Sequence, residues 1–132
     1  MEISQLRLLV VEDNEVSRSV LVSMLDGLGV RAVYPYESAE KAVGFMAEQG
    51  YKVHMILCDW QMPGMTGIEF LRRIRQTKND IPFVMITGNT DAESVQAAVA
   101  NGVSAYITKP YQPKDLANKL SALTKKIRGH TD

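Results

Sequence analysis

The 132-residue sequence predicts a doubly wound α/β domain built on a five-stranded parallel sheet with five helices. Five short runs of β-branched or aliphatic residues alternate with five segments in which apolar residues recur at helical spacing. Several of these runs are apolar at consecutive positions, as is typical of strands that are covered on both faces. Each strand-and-helix repeat is also long enough for a right-handed crossover between parallel strands.

The strands are predicted where short apolar runs occur. These runs cover residues 8–11, 32–34, 53–57, 83–86 and 105–107. The lone cysteine, Cys58, directly follows the third run, so we expect it to be a small buried residue.

The first two helices are predicted from apolar stripes that end at glycine. The first stripe consists of Val16, Val20, Met24 and Leu28 at every fourth position, joined by Leu21 and Leu25, and Gly29 follows as a stop. In the second helix Ser38 is the expected N-cap, and the stripe before Gly50 consists of Ala42, Phe45 and Met46.

The third and fourth helices begin with capping-box patterns, in which a threonine precedes a glutamate by three residues. These pairs are Thr66 with Glu69 and Thr90 with Glu93. The apolar residues that follow are Ile68, Phe70, Leu71 and Ile74 in the third helix and Val95, Ala98 and Val99 in the fourth, where we expect burial. The last helix follows Pro113 and carries Leu116, Leu120, Leu123 and Ile127.

The bulk composition predicts one domain over residues 1–132, with a core from about residue 6 to about residue 128. Lysine plus arginine equals aspartate plus glutamate at 15 each, so there is no overall basic field to bind nucleic acid. No stretch approaches the roughly 18 apolar residues that a membrane span requires. With a single cysteine and no export signal, the chain is expected to be cytoplasmic.

Chemistry-bearing side chains follow four of the predicted strands. Glu12 and Asp13 end the first strand, Asp59 the third, Thr87 the fourth and Lys109 the fifth. Because ligands collect beyond the carboxyl ends of strands in open α/β sheets, we expect these side chains to converge on one site. Three carboxylates and one ammonium leave about two net negative charges, which suits Mg²⁺, with Mn²⁺ as the other option.

The site is predicted to handle a phosphoryl group. Magnesium commonly binds through one or two carboxylates together with a phosphate. The sequence lacks GxxxxGK[ST] and has no GxGxxG after the first strand, which disfavours a nucleotide pocket. A carboxylate can itself be the nucleophile, and Asp59 is the best candidate because it ends the central run and precedes a loop rich in turn residues.

Four motifs in the same order resemble the receiver domains of two-component response regulators. They are VEDN after the first strand, DWQMPGMTG with the pattern D-x-x-M-P-x-M-x-G, MITG at the end of the fourth strand and YITKP at the end of the fifth. The match covers essentially the whole chain. The resemblance also implies the flavodoxin-like strand order 2-1-3-4-5.

The resemblance implies a role for each matching residue. Asp59 would accept a phosphoryl group from a partner histidine kinase or phosphotransfer protein, so the chain would be a signalling domain and not an enzyme acting on a separate substrate. Mg²⁺ would be bound by Asp13, Asp59 and the backbone carbonyl of Gln61, with Glu12 acting through water. Thr87 and Lys109 would contact the phosphoryl oxygens. The Lys109–Pro110 bond is commonly cis in this family.

The resemblance further implies a switch and an output face. Tyr106 occupies the position of an aromatic ring that moves inward when Thr87 shifts toward the phosphate, although by pattern alone it could be a half-buried packing residue. The fourth helix, fifth strand and fifth helix would bind a downstream protein around Tyr106 and Lys119; a solvated face is the alternative for the last helix.

The sequence is compatible with more than one function. A stand-alone switch, similar to chemotaxis receivers, is the leading interpretation, and a receiver excised from a regulator with a DNA-binding or other output domain is the alternative. A phosphatase of the haloacid dehalogenase type would need an acid where Gln61 stands. A flavodoxin-like flavin carrier would need a phosphate-binding loop where the acids Glu12 and Asp13 stand.

Overall fold

The computed structural model describes residues 1–77, 80–88 and 92–127, and within these ranges five parallel strands form one sheet in the order β2-β1-β3-β4-β5. The strands are β1 (Arg7–Val11), β2 (Ala32–Tyr36), β3 (Met55–Asp59), β4 (Phe83–Thr87) and β5 (Ala105–Thr108). The helices between and after them are α1 (Glu15–Leu28), α2 (Ala39–Gln49), α3 (Gly67–Gln76), α4 (Ala92–Ala100) and α5 (Pro113–Thr124). The predicted fold class and strand order are confirmed.

Each strand differs from its predicted run by one or two residues at one or both ends, and the largest differences are in β2 and β3. Strand β2 continues through Pro35 to Tyr36. Proline has no N–H group to donate, but β2 lies at the edge of the sheet and pairs on one side only, where a proline is tolerated. Strand β3 begins at Met55 and not at Val53, since the Val53 amide donates to the Gly50 carbonyl and closes a turn of 3-10 helix. Its last residue is Asp59.

The sheet has a hydrophobic core on each face. Leu9 and Val11 of β1 point to the core shared with α2 and α3, whereas Leu8 and Val10 point to the core shared with α1 and α5. Cys58 lies in the first core and is fully buried, as expected. The strands therefore need apolar residues at consecutive positions, which is the pattern that the sequence carries.

The predicted apolar stripe of α1 is partly wrong. Leu21 and Leu25 are buried, but Val16 is 72% exposed and Val20 is also exposed. Because a helix has 3.6 residues per turn, a row at every fourth position drifts by about 40° per step and does not follow one face. The row therefore begins in solvent and reaches the partly buried Met24 and Leu28 only in its second half.

The predicted burial of Val99 in α4 is also wrong, because this side chain is 63% exposed. Its neighbour Ala98 is buried, and Val95 is partly buried. With a small alanine at the buried position, α4 has a narrow contact with the sheet that leaves Val99 on the outer side. The predicted cap at Thr90 lies outside the described residues.

The remaining caps were predicted correctly. The Ser38 hydroxyl accepts from the Lys41 amide at 3.2 Å, and Thr66 and Glu69 form a reciprocal capping box. Gly29 follows α1 at a φ of 83°, in the left-handed region that glycine adopts without steric cost. None of the helices over the described residues is long and apolar enough to cross a membrane.

Candidate functional site

The carboxyl ends of four adjacent strands form one rim of the molecule. Strands β1, β3, β4 and β5 are neighbours in the sheet, and they are all parallel. Asp59 and Thr87 are the last residues of β3 and β4, whereas Glu12 and Lys109 directly follow β1 and β5. The topology thus delivers the predicted residues to the same edge, although they are separated by up to 97 positions in sequence.

Three carboxylates form a cluster at this rim. Glu12, Asp13 and Asp59 each offer one oxygen, and these oxygens all lie within 4.8 Å of one another. Glu12 and Asp59 are only 3% and 7% exposed, whereas Asp13 faces solvent. Such an arrangement is costly without a cation, since carboxylates about 5 Å apart repel by roughly 3 kcal/mol per pair at an effective dielectric of about 20.

Lys109 supplies one positive charge to the cluster. Its Nζ lies 3.2 Å from Oε1 of Glu12 and 3.4 Å from Oδ2 of Asp59, so it bridges the two buried carboxylates. Partial burial by itself lowers the pKa of Lys109, but the charges of Asp59 and Glu12 and their hydrogen bonds outweigh it, and the pKa of the ammonium is raised. Lys109 is therefore fully protonated at neutral pH. The Lys109–Pro110 peptide is cis, as predicted.

The loop that carries Glu12 and Asp13 is held in place by hydrogen bonds that involve main-chain groups. The Asn14 amide donates to Oε2 of Glu12 at 3.0 Å, and the side chain of Asn14 caps α1 by accepting from the Ser17 amide at 2.9 Å. One guanidinium nitrogen of Arg18 donates to the carbonyls of Glu12 and Asp13 at 2.9 and 3.4 Å. Glu12 is thus fixed by partners on both of its carboxylate oxygens.

The donor chemistry of the cluster fits a hard divalent cation. All three groups are carboxylates, the ligand type that Mg²⁺ prefers. Cys58 is adjacent to Asp59, but burial and the negative charges of Asp59 and Glu12 raise the pKa of its thiol well above the usual value. The thiol remains protonated and is a poor metal ligand. Lys109 balances only one of the three negative charges, so the residues present are complementary to a dication.

An open cavity of about 490 Å³ adjoins the cluster and is bounded by Asp59, Trp60, Gln61, Thr87, Gly88 and Lys109. The cavity is large enough for a phosphoryl group beside the Asp59 carboxylate. Gln61 lies at its rim, and buried Thr87 and partly buried Lys109 lie on other sides. Asp59 therefore borders a solvent-accessible pocket whose lining also includes Thr87 and Lys109.

Tyr106 and Lys119 lie outside this cavity. The Tyr106 side chain is 37% exposed, and Nζ of Lys119 lies 5.7 Å from the centroid of its ring, within range of a cation–π contact. Between Tyr106 and Thr87 there is a second, small cavity of about 10 Å³, which is also bounded by Trp60, Met85 and Ala98. Trp60 and Thr87 border both this cavity and the pocket beside Asp59.

Two residues that shape the site, Arg18 and Glu40, are not among the residues predicted from the sequence. Arg18 holds the carbonyls of Glu12 and Asp13, and Glu40 of α2 accepts a hydrogen bond from the Met65 amide in the loop after Asp59. Neither residue has a local sequence signal. Their partners are main-chain groups, and in the case of Glu40 the contact spans 25 positions.

Comparison with known proteins identifies relatives of the whole described fold. The family model for the response regulator receiver domain matches residues 8–121. The phosphate regulon transcriptional regulatory protein PhoB of Escherichia coli is 33% identical over 123 residues, which are 92% of this chain and 52% of that protein, so the chain spans about half the length of this regulator. A chemotaxis protein CheY homolog of Campylobacter jejuni is 32% identical over 117 residues, 87% of this chain and 89% of that protein.

A solved structure with the same fold contains ligands. The receiver domain of the histidine kinase CKI1 from Arabidopsis thaliana, complexed with Mg²⁺ and BeF₃⁻, has a TM-score of 0.78 and 28% sequence identity to this chain. The similarity covers 91% of this chain and 90% of that one.

Proposed function

The chain belongs to the receiver-domain family of two-component response regulators, and from that premise we propose that it accepts a phosphoryl group on Asp59 and thereby changes its affinity for a partner protein. The observation that carries the proposal is the convergence of Asp59 with Glu12, Asp13 and Lys109 beside a solvent-accessible pocket. Receiver domains are phosphoacceptor signalling domains and not classical enzymes. The chain would therefore act only on its own phosphorylation state.

In the proposed reaction, a carboxylate oxygen of Asp59 attacks phosphorus. The new oxygen–phosphorus bond forms as the bond between phosphorus and the donor breaks, and the donor leaves with the bonding electron pair. The donor is a histidine of a kinase or phosphotransfer protein. Lys109 offsets negative charge on the phosphoryl oxygens, and the Thr87 hydroxyl donates a hydrogen bond to one of them.

We further propose that the acidic cluster binds Mg²⁺, with Mn²⁺ as a substitute. Asp13, Asp59 and the backbone carbonyl of Gln61 would be direct ligands, and Glu12 would contribute through water. The Mg²⁺ bound to the CKI1 receiver supports this assignment, and BeF₃⁻ has the charge and approximate shape of a phosphoryl group. When bound, the cation would neutralise charge on the transferred group.

The proposed switch links the pocket to the face around Tyr106. Thr87 shifts toward the phosphoryl group, and the Tyr106 ring moves inward behind it. The cavity of about 10 Å³ between these two residues is much smaller than a phenol ring, so an inward position of the ring requires the residues that bound the cavity, Thr87 among them, to rearrange. This requirement makes the ring position conditional on the state of the pocket.

The downstream partner would bind the face formed by α4, β5 and α5. Tyr106 of β5 and Lys119 of α5 are in contact on this face at 5.7 Å, and an inward ring would end that contact. Alanine at either residue should change the affinity for the cognate partner in a phosphorylation-dependent manner. Unchanged affinity in both states would refute this assignment of the output face.

We propose that residues 1–132 form a single cytoplasmic receiver domain that works as a stand-alone, chemotaxis-like switch through protein contacts, without binding nucleic acid directly. The similarity to the chemotaxis protein CheY homolog of Campylobacter jejuni favours the chemotaxis-like function. The similarity to PhoB favours the second candidate, a receiver attached to an output domain such as a DNA-binding domain. The reading frame after Asp132 in the gene discriminates between them.

Intact mass spectrometry tests the phosphoacceptor function. The protein is incubated with acetyl phosphate and MgCl₂, and the wild type is expected to gain the mass of one phosphoryl group. Asp59→Asn should gain none, whereas the matched control Asp26→Asn, which changes an exposed aspartate of α1, should behave as the wild type. A folded wild-type protein that gains no mass would refute the proposal.

A further inference from the structure

The loop between β3 and α3, residues 60–66, is held by a side chain from a different helix. Glu40 lies in the first turn of α2, and its Oε2 accepts a hydrogen bond from the Met65 amide at 2.9 Å. The two residues are 25 positions apart, so this contact is tertiary and does not follow from the fold of the loop alone.

The backbone of the loop is shaped to receive this carboxylate. Gly64 has a φ of +75°, in the left-handed region, and a Cβ at this position would lie 2.4 Å from Oε2 of Glu40. A side chain at residue 64 would therefore be strained by the backbone angle and would also displace Glu40. The carboxylate fits against the loop because residue 64 has no side chain.

The two ends of the loop are joined to each other independently of Glu40. The Gly67 amide donates to the Trp60 carbonyl at 3.0 Å, and the capping box of Thr66 and Glu69 begins α3 directly after the loop. Gln61 lies between this closure and the Glu40 contact, at the rim of the pocket that contains Asp59. Its backbone thus lies between Trp60, whose carbonyl accepts from the Gly67 amide, and Met65, whose amide donates to Glu40.

We propose that Glu40 is a positioning residue of the phosphoryl and magnesium site. It touches neither group; it holds the loop by its Met65 contact so that the Gln61 carbonyl remains in place as a metal ligand. This inference rests on the proposed function, because it assumes that Mg²⁺ binds at the cluster of Glu12, Asp13 and Asp59. It adds a residue 19 positions before Asp59 to the determinants of metal affinity.

The test compares Glu40→Ala and Glu40→Gln with the control Glu48→Ala. Glu48 is exposed near the opposite end of the same helix, so its removal changes the net charge equally without affecting the loop. The dissociation constant for Mg²⁺ is measured from the fluorescence of Trp60, the single tryptophan, in titrations with MgCl₂ alone. Hydrogen exchange at the Met65 amide and the melting temperature are measured on the same samples.

Glu40→Ala is expected to weaken Mg²⁺ binding roughly 3- to 10-fold, which is less than the 10–100-fold typical of residues that hydrogen-bond a metal ligand directly. Glu40→Gln retains an acceptor oxygen and should restore most of the affinity, while Glu48→Ala should bind as the wild type. The Met65 amide should exchange faster in Glu40→Ala only.

Three results would overturn the inference while leaving the proposed function intact. They are wild-type affinity in Glu40→Ala, an equal loss of affinity in Glu48→Ala, and an equal loss in Glu40→Gln and Glu40→Ala. The second result would mean that Glu40 acts through its charge, and the third that an acceptor oxygen is not what matters. If the wild type itself fails to respond to Mg²⁺, the proposed magnesium site is refuted and the role of Glu40 falls with it.

Discussion

Gly67→Ala is expected to destabilise the protein strongly because the first residue of α3 packs against the main chain at the phosphoacceptor. A Cβ at residue 67 would lie 2.3 Å from the Asp59 carbonyl oxygen and 3.1 Å from Cα of Trp60. Both are backbone atoms and cannot move aside for the methyl group, whereas the third neighbour, Sδ of Met85 at 3.0 Å, belongs to a flexible side chain that can. Overpacking of this kind costs about 1–3 kcal/mol, and because the closest contact is with a main-chain oxygen, this substitution is expected near 3 kcal/mol.

The matched control is Gly44→Ala in α2, where a Cβ would meet nothing within 4 Å. Alanine is favoured over glycine within a helix by up to about 1 kcal/mol, so this variant should be more stable than the wild type. Urea denaturation should therefore give free energies of unfolding that change in opposite directions, with the two variants about 4 kcal/mol apart. If Gly67→Ala is as stable as the wild type, the close approach of α3 to Asp59 is refuted.

Three further predictions concern charge, pH and packing. Lys109→Met should lower the melting temperature measured in chelator. MgCl₂ should then raise the melting temperature of the variant more than that of the wild type, because a dication replaces the missing ammonium. Equal increases with MgCl₂ in both proteins would contradict this expectation. Burial and the charge of Arg7 lower the pKa of His54, so protonation disfavours the folded state and stability should fall as pH drops through about 6.5, the unfolded value. His54→Asn should flatten this slope between pH 7 and 5 in urea titrations, and an unchanged slope would contradict the assignment. Val99→Thr in α4 should alter the unfolding free energy by less than about 0.5 kcal/mol, whereas Leu21→Ala at a buried position of α1 should cost about 2–5 kcal/mol. A loss of stability in Val99→Thr comparable to that in Leu21→Ala would mean that Val99 is buried and that α4 packs through a different face.

The sequence carried most of the information about the site because the site depends on topology. Once the apolar runs are assigned to parallel strands, the residues that end those runs must share one edge of the sheet. The placement of Asp59, Thr87 and Lys109 on one edge follows from this topology alone, whereas the proximity of Lys109 to Glu12 also depends on the strand order. The strand order itself came from the resemblance to receiver domains and not from the apolar pattern.

The features that the sequence did not predict depend on tertiary contacts or on the exact rotation of helices. Val16 and Val20 extend an apolar row, but the face of α1 that is buried is decided by where Leu21 and Leu25 meet the sheet. The contact of Glu40 with the Met65 amide joins a side chain to a main-chain donor, and main-chain donors are present at nearly every residue. A contact of this kind therefore cannot be predicted from the amino-acid sequence.

The central claim is that Asp59 is the residue that accepts the phosphoryl group, and reductive trapping tests it most directly. The protein is treated with acetyl phosphate and MgCl₂, then with borohydride, which reduces an aspartyl phosphate to homoserine, and the peptide that contains residue 59 is sequenced by mass spectrometry. We expect homoserine at position 59 and unmodified aspartate at position 13. Homoserine at another aspartate, with Asp59 intact, would contradict it.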